Sequence, residues 1–253
     1  SSSVSKGTVP TSQVTGVART RPPDMYASAD RPIHWVALAG FMGAGKSRIG
    51  WELSRRLGMT FIDTDRVIER VTCLKIPEIF ELYGEETFRA YETEVVRRTL
   101  RLDDVVVSTG GGTVVREVNR RLLRARGPVV VLHASPETIY KRTRRHKRPM
   151  LEIGDPTDRI RTLMAERAPA YDAVATVRVS GDDRVASDVV EEIVEKLAAW
   201  AREHPQEAGR GPIDDPSSIA PGNPSTAHLA EEADLAIREP EPEHDLGSEE
   251  ASA

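Results

Sequence analysis

Hydrophobic and polar positions along the chain fall into two alternating kinds of segment. Short runs of apolar and β-branched residues occur at IHWVALA (33–39), TFID (60–63), VVVST (105–109), PVVVLHA (128–134) and TVRVS (176–180). They are mostly continuous rather than alternating, the pattern of strands covered on both faces. Between them the period changes. In SRIGWELSRRLG, Ile49, Leu53 and Leu57 recur every four residues, and Gly58 supplies a stop. ETFRAYETEVVRRTL and RVASDVVEEIVEKLAAWARE carry longer amphipathic patterns, and SPETIYKRTRR opens with Ser135 as a cap and Pro136 at the first helical position. Continuous strands separated by helices predict an α/β fold, a parallel sheet with helices on both faces that binds its ligands at the carboxyl ends of the strands.

The pattern fails at both ends. Residues 1–32 contain Pro10, Pro22, Pro23 and Pro32 and neither period, which predicts a disordered leader. Residues 205–253 hold seven prolines, no aromatic residue and twelve acidic against two basic side chains, which predicts a disordered acidic, Pro-rich tail. The expected folded unit is 33–204, the size of one α/β domain.

Composition sharpens this division. The chain has 253 residues, a formal net charge of −5 and 39% hydrophobic residues, a low fraction for a chain folded throughout. The tail carries more than the whole net negative charge, so the middle is mildly basic and suited to anionic ligands. A single cysteine, Cys73, excludes an intrachain disulfide and fits a reducing, cytoplasmic setting. No run approaches the roughly 18 apolar residues that span a bilayer. The six histidines lack metal-ligand spacing, and RRTLR and RRHKR come with only 5% aromatic residues, which argues against a nucleic-acid surface.

Candidate chemistry begins where the first strand ends. GFMGAGKS (40–47) matches G-x-x-x-x-G-K-[ST] between a predicted strand and a predicted helix. Gly40, Gly43 and Gly45 let the backbone turn and present its N–H groups, with Ala44 in the same turn, and the helix N-terminus adds its dipole. Lys46 is placed to reach the β- and γ-phosphates of a nucleotide, and Ser47 to offer a hydroxyl to Mg²⁺. FIDTD (61–65) follows the second strand. Asp63 either helps hold that metal or, with Asp65, caps the helix DRVIERV; Asp65 is also placed toward a phosphoryl acceptor. STGGGTVV (108–115) follows the third strand, where three successive glycines suit close approach of a ligand to bare backbone. Arg89, Arg148 and Arg167 are each candidates for paired hydrogen bonds to carboxylate or phosphate.

Taken together, GFMGAGKS, FIDTD, GEETFRAYE, STGGGTVV, KRPML and ERAPAYDAVA occur in the order and at the approximate spacing of the shikimate kinase family, over about residues 33–200. The chain resembles that family. The resemblance implies a three-layer α/β/α P-loop kinase fold with a five-stranded parallel sheet of order 2-3-1-4-5 and a lid loop. It implies transfer of the ATP γ-phosphoryl group to the 3-hydroxyl of shikimate, with Mg²⁺ as cofactor. By position, Gly43, Ala44, Gly45, Lys46 and Ser47 resemble the ATP cradle, Arg142 the residue that stacks on adenine, and Arg148 the catalytic lid arginine. Ser47 and Asp63 resemble the metal-holding pair. Asp65 resembles the acid that binds the substrate hydroxyls and accepts the reacting proton. Arg89 and Arg167 resemble the grip on the substrate carboxylate, with Gly110, Gly111 and Gly112 lining the pocket. Shikimate and ATP are the expected partners, with no nucleic acid and no membrane, and the chain is expected to act as a monomer. Arg48 stands where the family commonly has threonine, Met150 where leucine is usual, and RRHKRP makes a short, basic lid. A gluconate or nucleotide kinase, and a binding protein without catalysis, are the alternative functions.

Overall fold

A computed structural model describes residues 31–144, 155–226 and 229–238. At its centre lie five strands, β1 (Trp35–Gly40), β2 (Thr60–Asp63), β3 (Val105–Ser108), β4 (Val129–His133) and β5 (Val177–Ser180), in the order β2-β3-β1-β4-β5. All four pairings are parallel, with Trp35 opposite Val105 and Ala37 opposite Val129 in the central strand. Helices α1 (Lys46–Leu57), α2 (Thr64–Thr72), α3 (Ile76–Thr99), α4 (Glu117–Arg126), α5 (Pro136–Thr143), α6 (Pro156–Val174) and α7 (Ala186–Glu203) provide the crossovers and the covering layers.

Every residue of β1 is buried because each face of the strand meets its own core. Val36 and Leu38 point with Val106, Val130 and Leu132 into a core that includes Ile49 and Leu53 of α1 and Ile193 and Leu197 of α7. Trp35, Ala37 and Ala39 point the other way with Val107 and Val131, against Val67 and Ile68 of α2, Val95 and Val96 of α3, Leu122 of α4 and Tyr171 of α6. Period-two alternation is thus present but hidden, since both of its phases are apolar. β5, at one edge, alternates buried and exposed positions.

The predicted helices form, with Gly58 in the left-handed conformation at the end of α1 (φ 64°, ψ 33°). Three features were not expected. Helix α3 begins ten residues before ETFR and is broken at Gly84 (φ 80°, ψ 169°). Helix α4 has a basic, weakly apolar sequence. Helix α6 contains Pro169 in its interior, which removes one backbone donor and disguises the segment as a loop.

The described part of the C-terminal segment differs from a disordered tail. Residues 205–208 form a short helix, α8, and Leu229–Arg238 form α9. Leu229, Ala233, Ala236 and Ile237 lie on one buried face of α9, which packs on α2 and α3. Between the helices the chain is held through its backbone. Arg97 donates to the carbonyls of Ala220 and Pro221, Arg121 to Ile219 and Arg126 to Arg210, while Arg70 donates to Ala236 within α9. Arg98 pairs with Asp234 at 3.4 Å. Composition missed this because backbone carbonyls accept arginine whatever side chain they carry. Residues 1–30, the basic lid sequence 145–154 and the EPEPEHD stretch lie outside the described residues.

Candidate active site

The P-loop is shaped by the sheet it leaves. Gly40, the last residue of β1, has φ 151°, and a Cβ there would lie 2.5 Å from the Leu132 carbonyl oxygen of the neighbouring strand. Gly45, at φ 95°, is the N-cap of α1 and offers no side chain to its first turn. The opening N–H groups of α1 therefore face outward with the positive end of the helix dipole, a ready anion site. Lys46, 8% exposed, folds back across the loop and donates to the carbonyls of Gly40 (2.8 Å) and Phe41 (3.1 Å). Arg142 of α5 lies at the mouth of the loop, donating to the carbonyls of Gly43 (3.3 Å) and Gly181 (3.1 Å). All the ATP-cradle candidates among the described residues, Gly43, Ala44, Gly45, Lys46, Ser47 and Arg142, thus come together at the carboxyl edge of the sheet.

Asp63 ends β2 and serves two partners at once. Its Oδ1 accepts from the N–H groups of Asp65 (3.1 Å) and Arg66 (3.4 Å), capping α2, while its Oδ2 accepts from the Ser47 hydroxyl at 2.7 Å. The two alternatives open from sequence are therefore compatible in one side chain. A hydroxyl and a carboxylate oxygen in contact beside a phosphate cradle are hard donors that fit Mg²⁺, which keeps several waters and phosphate oxygens as its other ligands. Among the described residues there is no cluster of three or more His, Cys, Asp or Glu that could hold a metal.

The three glycines form the second half of the site, and each lies against a different predicted residue. A Cβ on Gly110 would lie 2.6 Å from Asp65 Oδ1. One on Gly112 would lie 2.5 Å from Arg89 Nη1, and one on Gly111 would lie 2.9 Å from the Met42 backbone nitrogen of the P-loop. Arg167 of α6 donates to the Gly111 carbonyl at 3.2 Å, and its guanidinium lies 5.4 Å from the centroid of the Phe41 ring. Bare backbone here lets an aspartate, two arginines and the phosphate loop converge on one strand end.

Arg89 is held by acids on its own helix. It donates to Glu92 at 2.6 Å and to Glu85 at 3.0 and 3.2 Å. Burial by itself would lower the pKa of Arg89, but Glu92 and Glu85 outweigh it and raise it, so the group stays cationic. Glu92 is 1% exposed and also accepts from the Thr113 hydroxyl at 2.7 Å. Asn119 in turn donates to the Thr113 carbonyl at 2.8 Å. Sequence reasoning missed Glu92 and Thr113. Their signals were present, a carboxylate one helical turn after Arg89 and a hydroxyl directly after the glycines. Arg148 lies outside the described residues. A shallow basic cleft of about 470 Å³, lined by Arg120, Arg121 and Arg124 and capped by Ile219, lies apart from this site. Its arginines donate to the carbonyls of Val114, Val115, Ile219 and Ala173 and brace the fold.

With this geometry in hand, the chain can be set beside known proteins. A sequence model described as shikimate kinase matches residues 42–198. A shikimate kinase of Deinococcus radiodurans is 58% identical over 171 residues, covering 68% of this chain and 87% of that protein. One from Thermus thermophilus is 53% identical over 169 residues, covering 66% and 91%. Among solved structures, shikimate kinase from Acinetobacter baumannii in complex with shikimate aligns with a TM-score of 0.65 at 37% identity, covering 68% of this chain and 96% of that one.

Proposed function

Since the chain belongs to the shikimate kinase family, we propose that it transfers the γ-phosphoryl group of ATP to the 3-hydroxyl of shikimate, releasing ADP and shikimate 3-phosphate, with the labour divided among the residues above. The observation that carries the assignment is the contact of Gly110, Gly111 and Gly112 with Asp65, Arg167 and Arg89 directly beside the P-loop.

In this scheme the N–H groups at the start of α1 bind the nucleotide phosphates. Lys46 exchanges the carbonyls of Gly40 and Phe41 for phosphate oxygens and balances their charge. Arg142 is assigned to the adenine, and Arg148, outside the described residues, is assigned by the family resemblance to the phosphates. Ser47 and Asp63 would hold Mg²⁺, which would supply charge neutralisation to the nucleotide. Arg89 and Arg167 grip the carboxylate of shikimate at the far end of the pocket. Asp65 accepts a hydrogen bond from the hydroxyl that attacks, orients its lone pair toward phosphorus and takes its proton. Little covalent chemistry is required of the protein, because phosphoryl transfer is carried by alignment and charge stabilisation. The substrates are small molecules, and among the described residues no helix is long and apolar enough to cross a membrane.

The test is ADP release measured with shikimate, gluconate and nucleoside monophosphates as acceptors. Release above the acceptor-free rate with shikimate alone is expected, and release with only one of the others would overturn the assignment. Within the same assay, Arg89→Ala should raise the KM for shikimate about tenfold to a hundredfold, the worth of a charge-assisted hydrogen-bond pair, with a smaller change in kcat. It should also lower the melting temperature, because Glu92 then loses its buried cation. An unchanged KM for shikimate would remove Arg89 from the carboxylate grip.

A further inference from the structure

The Gly111 carbonyl accepts two hydrogen bonds, both from α6. Arg167 Nη1 donates at 3.2 Å and the Tyr171 hydroxyl at 2.6 Å. The two residues stand one helical turn apart on the same face, and both are buried, at 7% and 6% exposure. Gly111 is also the glycine seated on Met42 of the P-loop, so its carbonyl lies at the junction of the two substrate sites. A carbonyl oxygen has two lone pairs and can serve both donors. An incoming carboxylate changes the balance. It competes for the Arg167 guanidinium, and the carbonyl is then left with whatever donor remains.

We propose that Tyr171 is a positioning residue for substrate binding, whose hydroxyl keeps the Gly111 carbonyl satisfied and in place when Arg167 turns to the carboxylate of shikimate. The inference rests on Arg167 being part of that carboxylate grip. In the free protein the shorter bond belongs to tyrosine, so the carbonyl stays anchored when Arg167 turns away, and the tyrosine hydroxyl also contacts the guanidinium itself. Burial raises the pKa of the hydroxyl to about 12, against the opposing pull of Arg167. The group therefore keeps its proton, and its capacity to donate, throughout the working range of a kinase. Tyr171 touches no reacting atom, and its effect passes through Arg167 and the glycine loop.

The experiment compares Tyr171→Phe, Arg167→Ala and the double variant in the full chain by steady-state kinetics. Calorimetric titration of shikimate and melting temperatures accompany the kinetics. Phenylalanine keeps the ring and its packing, so the variant should fold with only a small drop in melting temperature. Removing the hydroxyl leaves Arg167 as the single donor to a half-buried carbonyl, and releasing it then strands that carbonyl. The KM and Kd for shikimate should rise about tenfold, while kcat and the KM for ATP stay within about twofold. In the Arg167→Ala background, where no guanidinium is left to release, Tyr171→Phe should add less than about twofold. A purely structural tyrosine would lower the melting temperature and shift both KM values together, or would act additively in the double variant. Either result overturns the proposal, as does an unchanged KM for shikimate in Tyr171→Phe. If Arg167→Ala itself leaves that KM unchanged, the carboxylate grip fails as well. If Arg167→Ala raises it and Tyr171→Phe does not, only the role of tyrosine fails.

Discussion

Asp65→Asn should leave a folded protein that binds both substrates and turns them over about 10²–10⁴ times more slowly, the usual worth of a positioned acid–base group. The side chains are nearly isosteric. Asp65 lies in the first turn of α2, where loss of its charge costs at most about 1 kcal/mol of helix-dipole stabilisation, so the melting temperature should move little. Asparagine can still accept a hydrogen bond from the attacking hydroxyl, but its amide cannot take the proton. Its NH₂ group can also present a donor to the substrate hydroxyl and turn the lone pair away from phosphorus. The loss should therefore appear in kcat, with the KM for shikimate within a few-fold. Steady-state ADP release decides the matter. A kcat close to wild type would remove Asp65 from the chemistry and leave it as a wall of the Gly110 contact.

Lys46→Met should be the other nearly inactive variant, with kcat down about 10²–10³ because one fixed positive charge no longer meets the transferring phosphoryl group. Methionine retains most of the length of the side chain and lacks the ammonium. It also leaves the Gly40 and Phe41 carbonyls without the donor they have in the free protein, so a stability loss of about 1–3 kcal/mol should accompany the kinetic effect. Calorimetric binding of shikimate without nucleotide separates the two consequences. It should survive in Lys46→Met, since the acid pocket does not use Lys46, and its loss would show that the whole carboxyl edge of the sheet had been disturbed. Turnover within tenfold of wild type would mean that another cation stabilises the transferring group.

The sheet and the phosphate-loop geometry at the end of its first strand were legible because each depends on neighbours in sequence. A strand covered on both faces is a run of valines, as in VVVST, and a phosphate cradle is eight consecutive residues. The meeting of Asp65, Arg89 and Arg167 at the three glycines was suggested only by resemblance to a family. Nothing in the spacing of Asp65, Arg89, Gly110–Gly112 and Arg167 states that they meet, because the sheet order that joins them is a tertiary property. Glu92 stayed hidden for a related reason. An acid three residues from an arginine on a helix is ordinary at a surface, and only its 1% exposure shows that it is a buried counter-charge. Pro169 concealed α6 because a proline inside a helix contradicts local preference, and the packing of Ile160, Leu163, Tyr171 and Val174 overrides it. Amphipathic spacing in α9 was legible too, in Leu229, Ala233, Ala236 and Ile237, but the prolines and acids around it outweighed four small or aliphatic positions.

The clasp between Arg97 and the carbonyls of Ala220 and Pro221 bears on how this lineage can drift. A guanidinium at 6% exposure is tolerable only while acceptors surround it, and two of the acceptors here belong to a segment beyond the 42–198 stretch matched by the family. In a homologue that ends with its last family helix, the same position would open to water, and arginine would keep only its pairing with Glu94, which lysine would serve as well. Arginine at this site and a C-terminal extension should therefore be inherited together and lost together across descendants.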